Sequence, residues 1–133
     1  MEVPEDWTIR EEQQDRLDLL SPGQHAAVHI FTFDSPPTSL VAWVEETIQG
    51  LRDYNKELLE IMQKRIQERD DGTGVAAIIY WGRTSPEYCT THRTHLFVAT
   101  QTGSAIIESR ICEEFVKEYE HDVARIIKST APR

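Results

Sequence analysis

The spacing of apolar residues changes along the chain, and the order of those changes limits the folds open to it. Apolar and polar residues alternate before Asp34 and again after Asp70, as in β-strands with a buried face. Between these regions, and again after residue 112, apolar residues recur every three or four positions, as in amphipathic helices. The order predicts an α+β fold, with an antiparallel sheet of about six to seven strands flanked by two helices.

Three strands are predicted ahead of the first helix. The first begins near Trp7 and fades into polar residues, and the second covers residues 17–20. A Pro-Gly turn then leads to the third strand at residues 25–33. Because the third strand has apolar side chains on both faces, we expect it to be central and covered on both sides.

The first helix is predicted from Leu40 to Tyr54, with Thr38 and Ser39 as candidates for its N-cap. The segment that follows is ambiguous. Its apolar spacing and its good helix formers would let the helix continue to Arg69, but that helix would be long for a domain of this size. The residues alone leave 59–68 open between helix and strand.

The second half of the chain is easier to interpret. A turn at residues 70–74 precedes predicted strands at 75–81, 88–100 and 104–111. An amphipathic helix follows from Glu113, with acidic residues in its first turn and basic residues in its last, as the helix dipole favours.

A small set of positions, in this element order, resembles the PsbP/Mog1-like superfamily. They are Val3, Pro4 and Trp7 at the start, the apolar third strand, Gly72 or Gly74 before the 75–81 strand, and Phe115, Ile126 and Ser129 in the last helix. The resemblance implies a compact α-β-α sandwich in which 59–68 is a strand that pairs with 75–81. It also implies a binding or assembly factor without catalysis of its own, since some members are lipid-anchored and others act as effector-loading chaperones.

Length and charge narrow the class of partner. The 133 residues are predicted to form a single domain, 1–133. The formal net charge is −9, with acidic residues concentrated in segments 1–18 and 108–122. Such a field repels nucleic acid and anionic lipid, so we expect a protein partner, no nucleic acid and no direct membrane insertion. The oligomeric state is left open.

The cysteine content and the start of the chain bear on location. The first twenty residues contain no signal-peptide pattern, which predicts a cytoplasmic protein unless an upstream segment has been removed. In that compartment Cys89 and Cys112 are expected to be reduced, buried thiols. A disulfide is the alternative if the strand after Cys89 lies beside the strand before Cys112.

The residue types that carry catalysis or bind metals form no convincing motif. Cys89, His92 and His95 have metal-ligand chemistry, but residues three apart on a strand point to opposite faces. No phosphate-binding glycine loop, nucleophile elbow or calcium loop occurs. We therefore predict no metal, no cofactor and no enzymatic activity.

The aromatic residues are the best candidates for a binding surface. Trp7, Trp43 and Trp81 fit a role as core anchors, but Phe31, Phe33, Trp43 and Trp81 are also candidates for the wall of an apolar groove. The predicted function is a non-enzymatic adaptor or chaperone that binds another polypeptide on the open sheet face or beside the first helix. The alternative is a carrier or sensor of a small apolar ligand.

Overall fold

The computed structural model describes residues 1–13, 15–55, 58–83, 85 and 87–130. Seven strands form one antiparallel sheet in the order β1-β2-β3-β7-β6-β5-β4. The strands are β1 (Thr8–Gln13), β2 (Arg16–Leu20), β3 (Ala26–Phe33), β4 (Leu58–Glu68), β5 (Gly74–Arg83), β6 (Thr91–Ala99) and β7 (Ser104–Cys112). The helices are α1 (Leu40–Tyr54) and α2 (Val116–Thr130).

The two helices lie on opposite faces of the sheet and toward opposite ends of it. Helix α1 packs on β4, β5 and β6, whereas α2 packs on β3 and β7. Under α1 the core contains Leu40, Val44, Ile78 and Phe97, among others. Under α2 it contains a different set that includes Trp7, Leu19, Val28, Ile107 and Val123. The predicted α+β sandwich is therefore confirmed. Each helix covers only part of the sheet face on which it packs.

The segment 59–68 is a strand, as the resemblance implied. It forms most of β4 and pairs antiparallel with β5 across the turn, with a bulge between Ile61 and Gln63. Ile61 and Ile66 pack against the core under α1. The stability gained when this apolar face of the hairpin packs against α1 outweighs the intrinsic helix propensity of the segment. Gly74 closes the hairpin with φ +148°, where an added Cβ would collide with the carbonyl oxygen of Gln67.

Helix α1 begins and ends as predicted. Ser39 is its N-cap, with the side-chain oxygen accepting a hydrogen bond from the Ala42 amide at 3.2 Å. The terminal helix begins with a 3₁₀ turn at Glu113–Phe115 and continues as α2. The predicted strand 88–100 is shorter than expected, because β6 begins only at Thr91.

The expectation that the third strand is covered on both faces is wrong for its second half. Residues 26–28 of β3 are buried, but burial decreases along the strand until Thr32 and Phe33 are exposed. For Phe33 the cause is the position of α1, which packs mainly on β4–β6 and meets this end of β3 through the Trp43 ring. Apolar residues on both faces therefore did not mean two covering layers here.

The expectation of reduced thiols is also wrong. Cys89 and Cys112 form a disulfide, with Cα atoms 5.7 Å apart. β6 and β7 are neighbours in the sheet, and Thr91 pairs with Cys112 at their ends. The strand after Cys89 therefore lies beside the strand before Cys112, which is the arrangement for which the sequence predicted a disulfide as the alternative.

Residues near the two ends of the described chain meet on the α2 side of the sheet. Trp7 is buried and makes an edge-to-face contact with Tyr119 at 6.1 Å. The Glu2 amide donates a hydrogen bond of 2.7 Å to the Ser129 hydroxyl. Trp7 and Ser129, two of the positions behind the resemblance, thus help to hold the chain start against α2. Neither α1 nor α2, among the described residues, is long and apolar enough to span a membrane.

Candidate functional site

The most unusual surface lies beside α1, on the same side of the sheet. We call it the open half-face: the α1 side of strands β1, β2, β3 and β7, together with the adjoining residues of β6. The α1 helix packs mainly on β4–β6, so most side chains of this region are covered by one another. Its buried residues include the charged and histidine side chains of Asp18 and His95.

A row of charged and histidine side chains crosses the open half-face. The strand register puts Arg10 opposite Asp18, Asp18 opposite His29, His29 opposite Glu108, and Glu108 opposite His95. Because directly opposed residues point to the same face, the five side chains form a continuous line over five strands. Basic or histidine residues alternate with acids along it, so every neighbour can be a favourable partner.

Asp18 is the best-held member of the row. It is fully buried (0% exposed), and its Oδ1 accepts hydrogen bonds from His29 Nδ1 at 2.5 Å and from Arg16 Nε at 3.1 Å. Burial acts to raise the pKa of Asp18, but the His29 and Arg16 hydrogen bonds outweigh it and hold that pKa below its ordinary value. Arg16 also stacks over the Phe31 ring, 5.2 Å from its centre.

The other end of the row repeats the pairing. His95 Nε2 lies 3.2 Å from Glu108 Oε2, and the buried His95 ring packs between Tyr80 and Phe97. Burial acts to raise the pKa of Glu108, but the contact with His95 and the nearby positive charges hold it below its ordinary value. Both acids of the row are therefore stabilised as carboxylates.

The row has acid–base groups but lacks the other parts of a catalytic site. In the described part of the chain, neither His29 nor His95 is hydrogen-bonded to a hydroxyl or thiol that it could activate. Both cysteines are joined to each other, and no three acidic, histidine or cysteine side chains there are placed to hold a metal. The arrangement can pair charges and bind polar groups.

An aromatic patch borders the row where β3 meets α1. We define it as Phe33, Trp43, Pro36 and Pro37, which line an open depression of about 260 Å³. Phe33 is 46% exposed and meets Trp43 edge-to-face at 6.1 Å, and Trp43 in turn meets buried Phe97 at 5.1 Å. The patch is therefore a solvent-facing extension of the core under α1.

Two solved structures with a similar architecture share little sequence with the chain. Cyanobacterial PsbP (CyanoP) from Synechocystis sp. PCC 6803 matches with a TM-score of 0.66 at 8% identity, over 95% of this chain and 81% of that one. PA94 of Pseudomonas aeruginosa, a protein of unknown function and proposed regulator, matches with a TM-score of 0.55 at 12% identity, over 100% and 90% of the two chains. No family model and no curated protein matches the sequence.

The chain has a PsbP/Mog1-like fold. At these identities the likeness concerns the fold alone, and function has to be argued from this chain's own residues.

The PsbP/Mog1-like sheet separates the four aromatic residues that the sequence singled out. Phe33 and Trp43 are in contact, and Phe31 lies two positions along β3 on the same face. Trp81 is elsewhere: it is opposite His92 on the α2 side of the sheet, with ring centres 5.1 Å apart. Three of the candidates can thus share one surface, and Trp81 cannot.

The histidines of the Cys89, His92 and His95 cluster diverge, as strand geometry predicted. His92 lies beside Trp81 on the α2 side, whereas His95 faces Glu108 on the α1 side. Burial lowers the pKa of His92. Sequence reasoning missed the polar row itself. Its available signal was Asp18, a single acid between Leu17 and Leu19 in the otherwise apolar predicted strand 17–20.

Proposed function

We propose that this PsbP/Mog1-like chain is a non-enzymatic adaptor that binds a segment of another polypeptide at the aromatic patch. The observation that carries the proposal is the exposure of Phe33 (46%) next to Trp43 and two prolines. Contiguous exposed aromatic and proline surface is typical of interaction sites, where aromatic residues supply much of the binding energy.

The patch is built to stay in place when a partner binds. Trp43 is fixed between Phe33 and Phe97, and the Ser104 hydroxyl donates a hydrogen bond of 2.9 Å to the Ser35 carbonyl, tying the loop after β3 to β7. A preformed surface loses little conformational entropy on binding, which favours affinity. Phe31, under the Arg16 guanidinium, extends the surface toward the polar row.

The alternative, a carrier of a small apolar ligand, fits the cavities less well. The depression at the aromatic patch has about 260 Å³ and lies open to solvent. Carriers usually enclose most of the ligand surface, and among the described residues the larger cavities are lined mainly by polar or charged side chains. An exposed apolar side chain from a polypeptide needs only a shallow site.

The net charge indicates the kind of partner. With a formal charge of −9, the chain attracts basic polypeptides over distances longer than contact. Glu11, Glu113 and Glu114 are exposed and contribute to this field, while the side chain of Glu12, in the same predicted acidic segment, lies outside the described residues. The partner we propose is therefore a basic segment with an apolar side chain for the patch.

Affinity capture with matched variants tests this proposal. Wild type, Phe33→Ser and Met62→Ser are immobilised and exposed to extract of the source organism. Met62 is the control because it is also a large exposed apolar side chain (55%) but lies on the edge strand β4. We expect one polypeptide to be retained by wild type and Met62→Ser and lost from Phe33→Ser.

Native mass spectrometry of the purified chain provides the second readout. The adaptor proposal predicts the mass of the polypeptide alone. An added small mass together with equal protein capture by all three variants would contradict it and favour the carrier.

A further inference from the structure

Two arginines face each other across neighbouring strands at one end of the sheet. Arg93 on β6 is directly opposite Arg110 on β7, so both side chains lie on the α1 side. Like charges in directly opposed positions destabilise a sheet. In the described part of the chain, no carboxylate forms an ion pair with either guanidinium. Glu108, the nearby acid on β7, makes its close contact with His95.

The two arginines line a common cavity of about 300 Å³. Its other walls come from three parts of the chain: Tyr54 at the end of α1, Tyr88 and Cys89 before β6, and His25 before β3. The Cys89–Cys112 disulfide ties the wall that carries Tyr88 to the end of β7. Hydroxyl, imidazole and guanidinium groups thus surround a space large enough for a small molecule.

Arg93 is held in position from within the sheet. Its Nε donates a hydrogen bond of 2.5 Å to the hydroxyl of buried Thr91, which donates in turn to the Gly82 carbonyl at 3.1 Å. The guanidinium carbon lies 6.0 Å from the centre of the Tyr80 ring. Burial raises the pKa of Tyr80 to about 12, against the opposing effect of the Arg93 charge. Tyr80 is fully buried in the core under α1, so the Arg93 guanidinium is backed by that core on this side.

We propose that this cavity binds a small molecule through a dianionic oxyanion, a phosphate group, held between Arg93 and Arg110. Each guanidinium presents parallel N–H donors that match two phosphate oxygens, and two such groups balance a double negative charge. The phosphate turns a destabilising pair of like charges into a pair of favourable contacts. Tyr54 and Tyr88 lie where they can meet the rest of the ligand.

The cavity is distinct from the aromatic patch of the proposed function. Its lining shares no residue with the depression at Phe33 and Trp43. The two proposals can therefore fail separately, because Phe33→Ser leaves both arginines in place and a change at Arg110 leaves the patch in place.

A titration followed by ¹H–¹⁵N correlation spectra tests the phosphate site. The probes are inorganic phosphate and glycerol 3-phosphate, added at constant ionic strength with sodium chloride as the balance. We expect saturable shifts of amides near Arg93 and Arg110 in wild type, and at least about tenfold weaker binding in Arg110→Gln. Arg65→Gln is the control, because Arg65 is an exposed arginine on β4 that faces the opposite side of the sheet. It should bind as wild type does.

The two probes distinguish the source of the phosphate group. Tighter binding of glycerol 3-phosphate means that the natural ligand is a phosphate ester, and equal binding means free phosphate. A melting curve without ligand shows whether Arg110→Gln folds; we expect it to melt no lower than wild type, since one of two opposed charges is gone. Arg110→Lys, which keeps the charge without the fork, should bind at an intermediate level. Non-saturating shifts, or equal affinity in wild type and Arg110→Gln, would overturn the proposal.

Discussion

The side of the sheet that faces α1 has two halves that are buried in different ways. Under the helix, the buried residues are apolar, among them Leu40, Val44 and Phe97. In the open half-face, buried Asp18 and His95 lie in a row of alternating charge, and they are covered by neighbouring side chains. An apolar core under a helix offers few partners for polar groups, whereas a row of opposed strand positions places an opposite charge beside each charged side chain.

The two halves should therefore differ in what stabilises them. The covered half depends on the packing of its buried apolar residues. The open half depends on matched charges, which stabilise a fold less than well-packed apolar residues of the same size would.

The largest effect is expected in the covered half. Phe97→Ala removes a fully buried ring (0% exposed) that packs on Trp43 and His95, and it should lower the free energy of unfolding by about 3–5 kcal/mol. Urea unfolding followed by tryptophan fluorescence measures it. Phe33→Ala, the matched exposed ring, should cost less than about 1 kcal/mol. Similar losses for both would mean that the halves do not differ as described.

Removing the disulfide should have the next largest effect. Replacing Cys89 and Cys112 with serine opens a loop of sequence separation 23 and should cost about 3 kcal/mol, chiefly by freeing the unfolded chain. Parallel unfolding of oxidised wild type and the variant measures this. Thiol trapping in intact cells tests location as well: a reducing cytoplasm predicts labelled thiols, and an oxidising compartment predicts protected ones.

Breaking the polar row should have a moderate effect. His29→Ala leaves buried Asp18 without its closest partner and should cost about 1–3 kcal/mol. Adding Asp18→Asn should recover part of that loss, because the unpaired charge is then gone. His121→Ala, an exposed histidine on α2, should change stability by less than about 0.5 kcal/mol. If the unfolding free energy lost by the double variant equals the sum of the losses in His29→Ala and Asp18→Asn, the two residues are not coupled.

The pH dependence of stability should reveal the same row. Asp18 and Glu108 have pKa values below their ordinary 3.8 and 4.5 when folded, so their contribution is complete above those values. It is lost as the pH falls through the lower folded values. Unfolding free energies measured downward from pH 5 should therefore fall less steeply in Asp18→Asn than in wild type. Equal slopes would show that Asp18 is not held as a carboxylate.

The smallest effect is expected from surface charge. Glu113→Gln with Glu114→Gln removes two exposed acids and should slow association with a basic partner by a few-fold at low salt, with little change in the fold. Stopped-flow mixing at two salt concentrations measures it. A rate that is unchanged, or binding that strengthens with added salt, would mean that these charges do not steer the partner.

Sequence periodicity predicted most of the fold because each element has an apolar face that a neighbour buries. The bounds of α1 follow directly from the spacing of Leu40, Val44 and Ile48 and from the Ser39 cap. Periodicity did not predict the structure of segment 59–68, because its residues favour a helix although the segment forms a strand of a hairpin. Only the resemblance, which concerns the whole topology, resolved it correctly.

The candidate site was harder to predict from the sequence, because it depends on the register between strands that are far apart in the chain. Asp18, His29, Glu108 and His95 are up to 90 positions apart and meet only because β7 lies between β3 and β6. The extent of covering by α1 was likewise invisible, which is why Phe33 was expected to be covered and is exposed. Local pattern gives the faces of a strand but not what lies over them.

Site-specific photo-crosslinking at Phe33 tests the proposed binding surface most directly. A benzoyl-phenylalanine replaces Phe33 in one variant and Met62, the exposed control on β4, in another, and both are irradiated in extract of the source organism. We predict one crosslinked polypeptide with the probe at Phe33 and none, or far less, with the probe at Met62. Equal crosslinking at the two positions, or none at Phe33 while a partner is still captured, would contradict a binding site at the aromatic patch.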